Sequence, residues 1–145
     1  MIFSKSRPVK IVLVGTGGTG GYIVPQLYRL LYALDRPIRV ILCDGDLVEE
    51  KNLGRQNFIE ADLGKNKAMV LAERYSNAFG IETSYIPQYV EDEEMLEELL
   101  EAGFPVETAV QMMNTALVTG REEVKFCTLD VCLFDLYQGS CEFVK

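Results

Sequence analysis

A glycine-rich segment near the amino terminus carries the residues best suited to bind phosphate. Residues 15–20 read Gly-Thr-Gly-Gly-Thr-Gly and follow the apolar run 11–14 directly. Where a strand turns sharply into a helix, glycines permit positive φ angles and leave no Cβ between backbone N–H groups and phosphate oxygens. The glycines expected to shape such a loop are Gly15, Gly17, Gly18 and Gly20.

Polar residues downstream of the loop fit the same ligand. Asp44 lies 24 residues after Gly20, close to the spacing of about 20 residues typical of a carboxylate that binds ribose. Asp46 comes next, followed by the segment Asn52-Leu53-Gly54-Arg55-Gln56. Together these features indicate a nucleotide-binding site.

Length, composition and charge limit the class of protein. The chain has 145 residues, of which 48% are hydrophobic and 25% charged, which is typical of one globular domain. The net charge of −8 argues against a nucleic-acid partner, since such a partner requires a basic face. Seven acidic residues lie between Glu91 and Glu101. We interpret them as an exposed helix face; docking of a basic partner is the alternative.

Cysteine and histidine usage narrows the chemistry. The four cysteines form no C-x-x-C pair and the chain has no histidine, so we expect no zinc site and no neutral-pH base of the usual kind. Cys43 falls in an apolar strand and is interpreted as a buried hydrophobic residue. With no signal peptide or membrane-spanning stretch found, we expect a cytoplasmic protein with free thiols. Catalysis would have to rely on charge stabilisation or on cysteine.

Hydrophobic periodicity predicts the elements that position these residues. The predicted strands are Lys10 to Val14, Ile38 to Cys43 and Glu82 to Tyr89, and the predicted helices are Gly21 to Leu34, Lys65 to Phe79 and Asp92 to Ala102. This βαβαβα order is one mononucleotide-binding half of a doubly wound fold. Asp44 then falls at the carboxyl end of the second strand, where open α/β sheets bind their ligands.

The pattern changes after Gly103. The expected fourth strand is not found; the sequence instead predicts an apolar helix from Glu107 to Thr119 and an antiparallel hairpin from strands Val124 to Leu136 and Cys141 to Val144. The first strand would then have a parallel neighbour on one side only. We therefore expect a central segment to be missing near residue 104, with a chain break between Gly103 and Thr108; a naturally shortened remnant of the fold is the alternative. The prediction is a single α/β domain over residues 1–145: a Rossmann-like doubly wound sheet, then a C-terminal helix and an antiparallel β-hairpin.

Four ordered motifs carry a family resemblance. They are Gly15-Thr-Gly-Gly-Thr-Gly20, Asp44-x-Asp46-x-Val48, Asn52-Leu53-x-Arg55-Gln56 and Gly64-x-x-Lys67. Residues 8 to about 103 resemble the adenylation domain of the ThiF/MoeB, ubiquitin-activating-enzyme-like family. Within it they are most similar to the ThiF-type proteins of bacterial PRTRC gene systems. The end of the chain, from about Val110 to Phe143, is similar to the same branch more weakly.

The resemblance implies a role for each motif. The glycines would shape the loop that binds ATP, and Asp44 would hold the ribose hydroxyls with Asp46 beside that site. Contacts with the triphosphate would come from Asn52, Arg55 and Lys67, with Gln56 adjoining them. An arginine, a lysine and Mg²⁺ suit this reaction because attack on the α-phosphate builds negative charge on oxygen.

The implied reaction is ATP-dependent adenylation of the C-terminal carboxylate of a small ubiquitin-like or sulfur-carrier protein, by a homodimeric enzyme. The chain departs from the family in two features. It lacks the Asp-Asn pair that helps to bind Mg²⁺ and it lacks a catalytic cysteine, so its metal ligands are unknown. Asp130 and Asp135 lie inside the terminal strand pattern, where we interpret them as structural.

Two other functions stay open. A catalytically inactive nucleotide-binding or assembly module of the same fold would account for the missing Asp and cysteine. An NAD-linked oxidoreductase would use the same glycine loop and Asp44, but it would leave the ordered set from Asn52 to Lys67 without a role.

Overall fold

The computed structural model describes residues 9–34, 36–92, 94–95 and 98–99, together with the backbone of three further strands at 108–117, 126–135 and 140–144. The amino-terminal half alternates strands and helices. Its elements are β1 (Val9–Val14), α1 (Gly18–Tyr32), β2 (Ile38–Cys43), α2 (Glu50–Leu53), α3 (Lys67–Phe79) and β3 (Glu82–Ile86). The strands that follow are β4 (Thr108–Leu117), β5 (Phe126–Asp135) and β6 (Ser140–Val144).

The strands form one six-stranded sheet in the order β3-β2-β1-β4-β5-β6. The first four strands in this order are parallel, with β1 at their centre between β2 and β4. The β4–β5 and β5–β6 pairs are antiparallel. The α/β Rossmann-like class and the terminal antiparallel hairpin predicted from the sequence are confirmed.

The predicted helix from Glu107 to Thr119 is wrong. Residues 108–117 form β4, which pairs in parallel with β1 from Lys10↔Ala109 to Val14↔Met113. A short apolar run does not by itself distinguish a buried strand from a buried helix. The long-range pairing decides, because a strand here satisfies the backbone groups along the open edge of β1. The expectation that β1 has a parallel neighbour on one side only is wrong for the same reason.

Residues 101–107 lie outside the described residues. The chain break expected between Gly103 and Thr108, and the missing segment expected near residue 104, therefore stay predictions.

The hydrophobic core lies on both faces of the sheet. On one face, α1 and α3 pack on the strands through residues that include Leu13, Val24, Tyr28, Leu42 and Leu71. On the other face, Val12, Ile41 and Cys43 pack with Ile86, Val90 and Leu99. Leu99 belongs to the acidic segment, whose residues 94–95 and 98–99 are helical. The Oδ1 atom of Asp92 accepts a hydrogen bond from the Met95 N–H at 2.8 Å, as expected of an N-cap. Such two-sided covering explains why β1 and β2 have almost continuously apolar sequences.

The helix ends follow from local residues. Asn66 caps α3 by accepting the Met69 N–H at 3.0 Å, and Gly80 ends this helix with a φ of 66°, the left-handed conformation predicted for it. Among the helices that the structure describes, none combines the length and the apolar composition needed to cross a bilayer.

Candidate functional site

The ends of β1, β2 and β3 bring the sequence motifs together at one edge of the sheet. The Gly15 N–H donates to the Cys43 carbonyl at 2.8 Å, and the Asp44 N–H donates to the Ile86 carbonyl at 3.1 Å. The glycine loop, the Asp44 segment and the residues after Ile86 therefore lie side by side. This is the carboxyl edge of the parallel strands, where ligands of open α/β sheets bind.

Two glycines of the loop are required by the fold itself. Gly15 has a φ of 86°, which other residues rarely adopt. A Cβ on Gly20 would lie 1.8 Å from the Gly15 carbonyl oxygen, so only glycine lets the first turn of α1 close on the loop. The backbone conformation at Gly15 and the close contact at Gly20 thus require the glycines predicted at these two positions, whether or not a ligand binds.

The other two glycines border open space. Among the described residues, a Cβ on Gly18 would meet no heavy atom within 4 Å, and one on Gly17 would meet only the Gln56 amide at 3.6 Å. Gly17 is the N-cap of α1, and no side chain caps this end or places an acid in its first turn. The first N–H groups of a helix have no partner inside the helix and carry partial positive charge. This 15-residue helix therefore presents backbone donors to an approaching anion.

Asp44 is buried and braces the glycine loop. Its Oδ2 accepts the Thr16 N–H at 2.6 Å and the Thr16 hydroxyl at 3.0 Å, while its Oδ1 accepts the Asp46 N–H at 2.9 Å. The carboxylate thus joins the turn after β1 to the turn after β2. Thr16, which the sequence reasoning missed, is fully buried. Contact between Asp44 and a ribose stays a prediction.

A backbone pairing sets the start of α3 beside Asp46. The Val48 N–H donates to the Lys65 carbonyl at 2.8 Å, and the Lys67 N–H donates to the Asp46 carbonyl at 3.0 Å. The Asn66 side-chain amide donates to the Asp44 carbonyl at 2.7 Å. Asn66 was also missed, although an Asn directly before a helical pattern is a recognisable N-cap signal.

Lys67, Asp46 and Tyr89 form a hydrogen-bonded chain at this edge. The Lys67 Nζ lies 2.8 Å from Asp46 Oδ2, and the lysine side chain is only 6% exposed. The Tyr89 hydroxyl donates to the other oxygen of Asp46. The hydrogen bond from Lys67, and next the one from Tyr89, lower the pKa of Asp46. The same contact with Asp46 raises the pKa of Tyr89. Nothing in the sequence motifs identified Tyr89.

The three predicted site residues in the segment 52–56, Asn52, Arg55 and Gln56, differ in environment. Asn52 is buried, and its Oδ1 accepts the Glu49 N–H at 2.8 Å, so it stabilises the local turn. Gln56 is buried beside Gly17, and its Oε1 has no hydrogen-bond partner among the described residues. Arg55 is exposed, and its guanidinium makes no ion pair or hydrogen bond with the described part of the chain. A buried polar atom without a partner is rare in proteins and indicates a place for a ligand or water.

A cavity of 450 Å³ opens next to Asp44. It is lined by Gly45, Pro87, Gln88, Tyr89, Asp92 and Met95, among others.

Cys43, by contrast, is fully buried, and burial together with Asp44 raises the pKa of its thiol to about 12. Its interpretation as a buried hydrophobic residue is confirmed. No cluster of three or more His, Cys, Asp or Glu residues that could hold a metal is found among the residues described.

Comparison with known proteins identifies the family. The model of the ThiF family matches residues 3–113, well over half of the chain. The chain therefore belongs to the ThiF family, as its motifs indicated. No curated protein sequence matches the chain.

Solved structures with the same fold include two enzymes of Escherichia coli. The chain is similar to MccB in complex with ATP, with 22% identity and a TM-score of 0.55, over 74% of this chain and 38% of MccB. Another structure of MccB matches with 32% identity and a TM-score of 0.52, over 61% of this chain and 24% of that protein. The tRNA N6-threonylcarbamoyladenosine dehydratase TcdA, in complex with ATP, matches with 20% identity and a TM-score of 0.57, over 76% of this chain and 42% of TcdA. The chain spans less than half the length of each.

Proposed function

We propose that this chain binds ATP at the glycine loop and adenylates a carboxylate. The observation that carries the proposal is the amino-terminal end of α1, which no side chain of the described residues caps and which borders, at Gly18, a space that none of those residues fills. The buried Gln56 amide beside it lacks a partner for its oxygen among the described residues. The ATP complexes of MccB and TcdA, two proteins with the same fold, support the choice of nucleotide.

In the proposed reaction, a carboxylate oxygen of the substrate attacks the α-phosphorus of ATP. The bond between this phosphorus and the oxygen that bridges to the β-phosphate breaks, so pyrophosphate leaves and an acyl-adenylate forms. Negative charge develops on the α-phosphate oxygens and on the leaving group. Catalysis of this kind depends on positioning and on fixed positive charge more than on an acid or a base.

The chain supplies groups for each task. The backbone N–H groups around Gly17 and Gly18 would bind the phosphates, and Asp44 would face the ribose. Lys67 is fixed by Asp46, whereas Arg55 is exposed and unengaged by the described residues, so it can turn toward the triphosphate. Asn52 holds the turn from which Arg55 projects.

The substrate we propose is the C-terminal carboxylate of a small ubiquitin-like or sulfur-carrier protein. A cytoplasmic homodimer is part of the same proposal, and light scattering of the purified chain tests the dimer. Mg²⁺ enters only as the ion that accompanies ATP. The described residues do not form a cluster that would hold it, and no step is assigned to it.

ATP–pyrophosphate exchange with a carrier protein tests the proposal. We expect Arg55→Ala to lower the exchange rate about a hundredfold, the cost typical of removing one group that stabilises transition-state charge. Lys51→Ala is the matched control, because Lys51 is an exposed cation of the same segment that pairs with Glu49. Equal rates for the two variants would contradict the role of Arg55.

The same assay separates the alternatives. Tight ATP binding without exchange, for any carrier, would favour the inactive binding or assembly module. Binding of NADH in preference to ATP would favour the oxidoreductase, because hydride transfer requires the nicotinamide.

A further inference from the structure

Tyr89, in the loop after β3, is held at two points although the residue is 57% exposed. Its hydroxyl donates to Asp46. Its ring lies against Gly45 so closely that a Cβ at that glycine would be 2.6 Å from the ring atoms Cδ2 and Cε2. An exposed tyrosine ordinarily gains little from a fixed position, because ordering it costs side-chain entropy. The two contacts nevertheless define one orientation.

This orientation connects two parts of the candidate site. Asp46 binds Tyr89 through one oxygen and Lys67 through the other. Lys67 is the first residue of α3, and the proposed function assigns it to the triphosphate. Tyr89 also lines the 450 Å³ cavity together with Gly45, Pro87 and Met95. A shift of Tyr89 in the cavity can therefore move Lys67, because the carboxylate of Asp46 contacts both side chains.

The cavity suits a flat heterocycle. Its volume of 450 Å³ lies within the range of about 300–1,000 Å³ typical of small-molecule sites. The Tyr89 ring lies against Gly45, and both residues line the cavity, where an aromatic base could stack on the ring. Proline and methionine supply apolar walls; among the lining residues that the structure describes, none is basic, and Glu91 and Asp92 are acidic.

We propose that Tyr89 is a positioning residue that couples binding of the nucleobase in this cavity to the placement of Lys67 at the phosphates. The inference rests on the proposed ATP binding. A base stacked on the ring keeps the tyrosine over Gly45, its hydroxyl then keeps Asp46 in place, and Asp46 holds Lys67. The ring stacks with the base, whereas the hydroxyl acts on the phosphates indirectly, through Asp46 and Lys67.

Binding of adenosine, AMP and ATP to the full chain, measured by calorimetry, separates these two roles. We expect Tyr89→Phe to bind adenosine within twofold of the wild type, because the ring remains, and to bind ATP about tenfold more weakly, because the hydrogen bond to a carboxylate is lost. We expect Tyr89→Leu to weaken all three ligands about tenfold or more.

Gly45→Ala provides a second perturbation that leaves Tyr89 in the sequence. The added methyl group displaces the ring, so we expect the variant to lose adenosine affinity as Tyr89→Leu does. Tyr32→Ala is the control, since Tyr32 is an exposed tyrosine at the far end of α1. Circular dichroism confirms that each variant is folded.

The outcomes are distinct. Equal losses for adenosine and ATP in Tyr89→Phe, or no loss in any variant of Tyr89 or Gly45, would overturn the coupling while wild-type ATP binding leaves the proposed function intact. A wild-type chain that binds none of the three ligands would overturn the proposed function itself, and the coupling with it.

Discussion

Gly18 and Gly20, two positions apart at the end of the loop, are expected to respond to the same substitution in opposite ways. In Gly18→Ala the new methyl group enters space in which the described part of the chain has no heavy atom within 4 Å. In Gly20→Ala it would lie 1.8 Å from the Gly15 carbonyl oxygen and 2.9 Å from the carbonyl carbon. The first change tests the ligand site, and the second tests the fold.

The structure sets the sizes of the two effects. Gly18 is the first residue of α1, and alanine stabilises a helix relative to glycine by up to about 1 kcal/mol. The free energy of unfolding should therefore stay constant or rise slightly. Gly20→Ala must displace the backbone of the loop by more than an ångström or so, and overpacking of this kind costs about 1–3 kcal/mol or more. ATP affinity should fall about tenfold or more in Gly18→Ala, because the methyl group blocks the approach of phosphate to the backbone.

Urea unfolding and calorimetric ATP titration measure the two effects on the same samples. We expect Gly18→Ala to unfold at the wild-type urea concentration or above it and to bind ATP poorly. Gly20→Ala should unfold at a lower concentration. If Gly18→Ala bound ATP like the wild type, the phosphates would not approach this end of α1, and the placement of the nucleotide would be refuted.

Three further predictions concern stability. The pKa of Asp46 is lowered below its ordinary value of 3.8, so its ionised form stabilises the folded state above about pH 4. In acid unfolding, the stability advantage of the wild type over Asp46→Asn should shrink as the pH falls below that value. Burial raises the pKa of Tyr28 to about 12 from 10.0; its contribution is therefore complete below pH 10 and lost as the pH rises toward 12, while Tyr28→Phe should cost about 1 kcal/mol at neutral pH in urea unfolding by removing the hydrogen bond to Thr83. Arg74→Ala leaves the buried carboxylate of Asp62 without the cation 2.5 Å away, so thermal unfolding should report a loss of about 1–3 kcal/mol while ATP affinity stays at the wild-type value.

Local sequence signals were sufficient for the first half of the fold. Strand β2 has the predicted bounds, and α3 ends at Gly80 as its composition indicated, because these features depend on neighbouring residues alone. The carboxyl-edge position of Asp44 followed from the order of strands and helices. The loop glycines were also predicted, since a sharp strand-to-helix turn leaves few alternatives at Gly15 and Gly20.

The features that sequence reasoning missed depend on distant contacts. β4 has an apolar sequence that suits a helix or a strand, and its pairing with β1 joins residues about a hundred positions apart along the chain. Thr16 acts through two hydrogen bonds to Asp44, and Tyr89 acts through one to Asp46; no spacing rule specifies these contacts. A tyrosine in a loop has no periodic pattern, so only the folded chain shows what it contacts.

The two cations of the proposed site differ in how they are held, and this difference favours separate tasks. Lys67 lies at the amino end of α3, where the helix dipole disfavours a positive charge by about 0.3–1 kcal/mol. Its side chain is also buried, where it forms an ion pair with Asp46 at 2.8 Å. Both the helix dipole and burial disfavour a cation at this position. The presence of Lys67 there is therefore more readily explained by function than by stability. Asp46 already holds Lys67, and in our proposal a base stacked on Tyr89 keeps it in place. The exposed Arg55, by contrast, must be recruited by the ligand, so its contribution should appear only once ATP is bound.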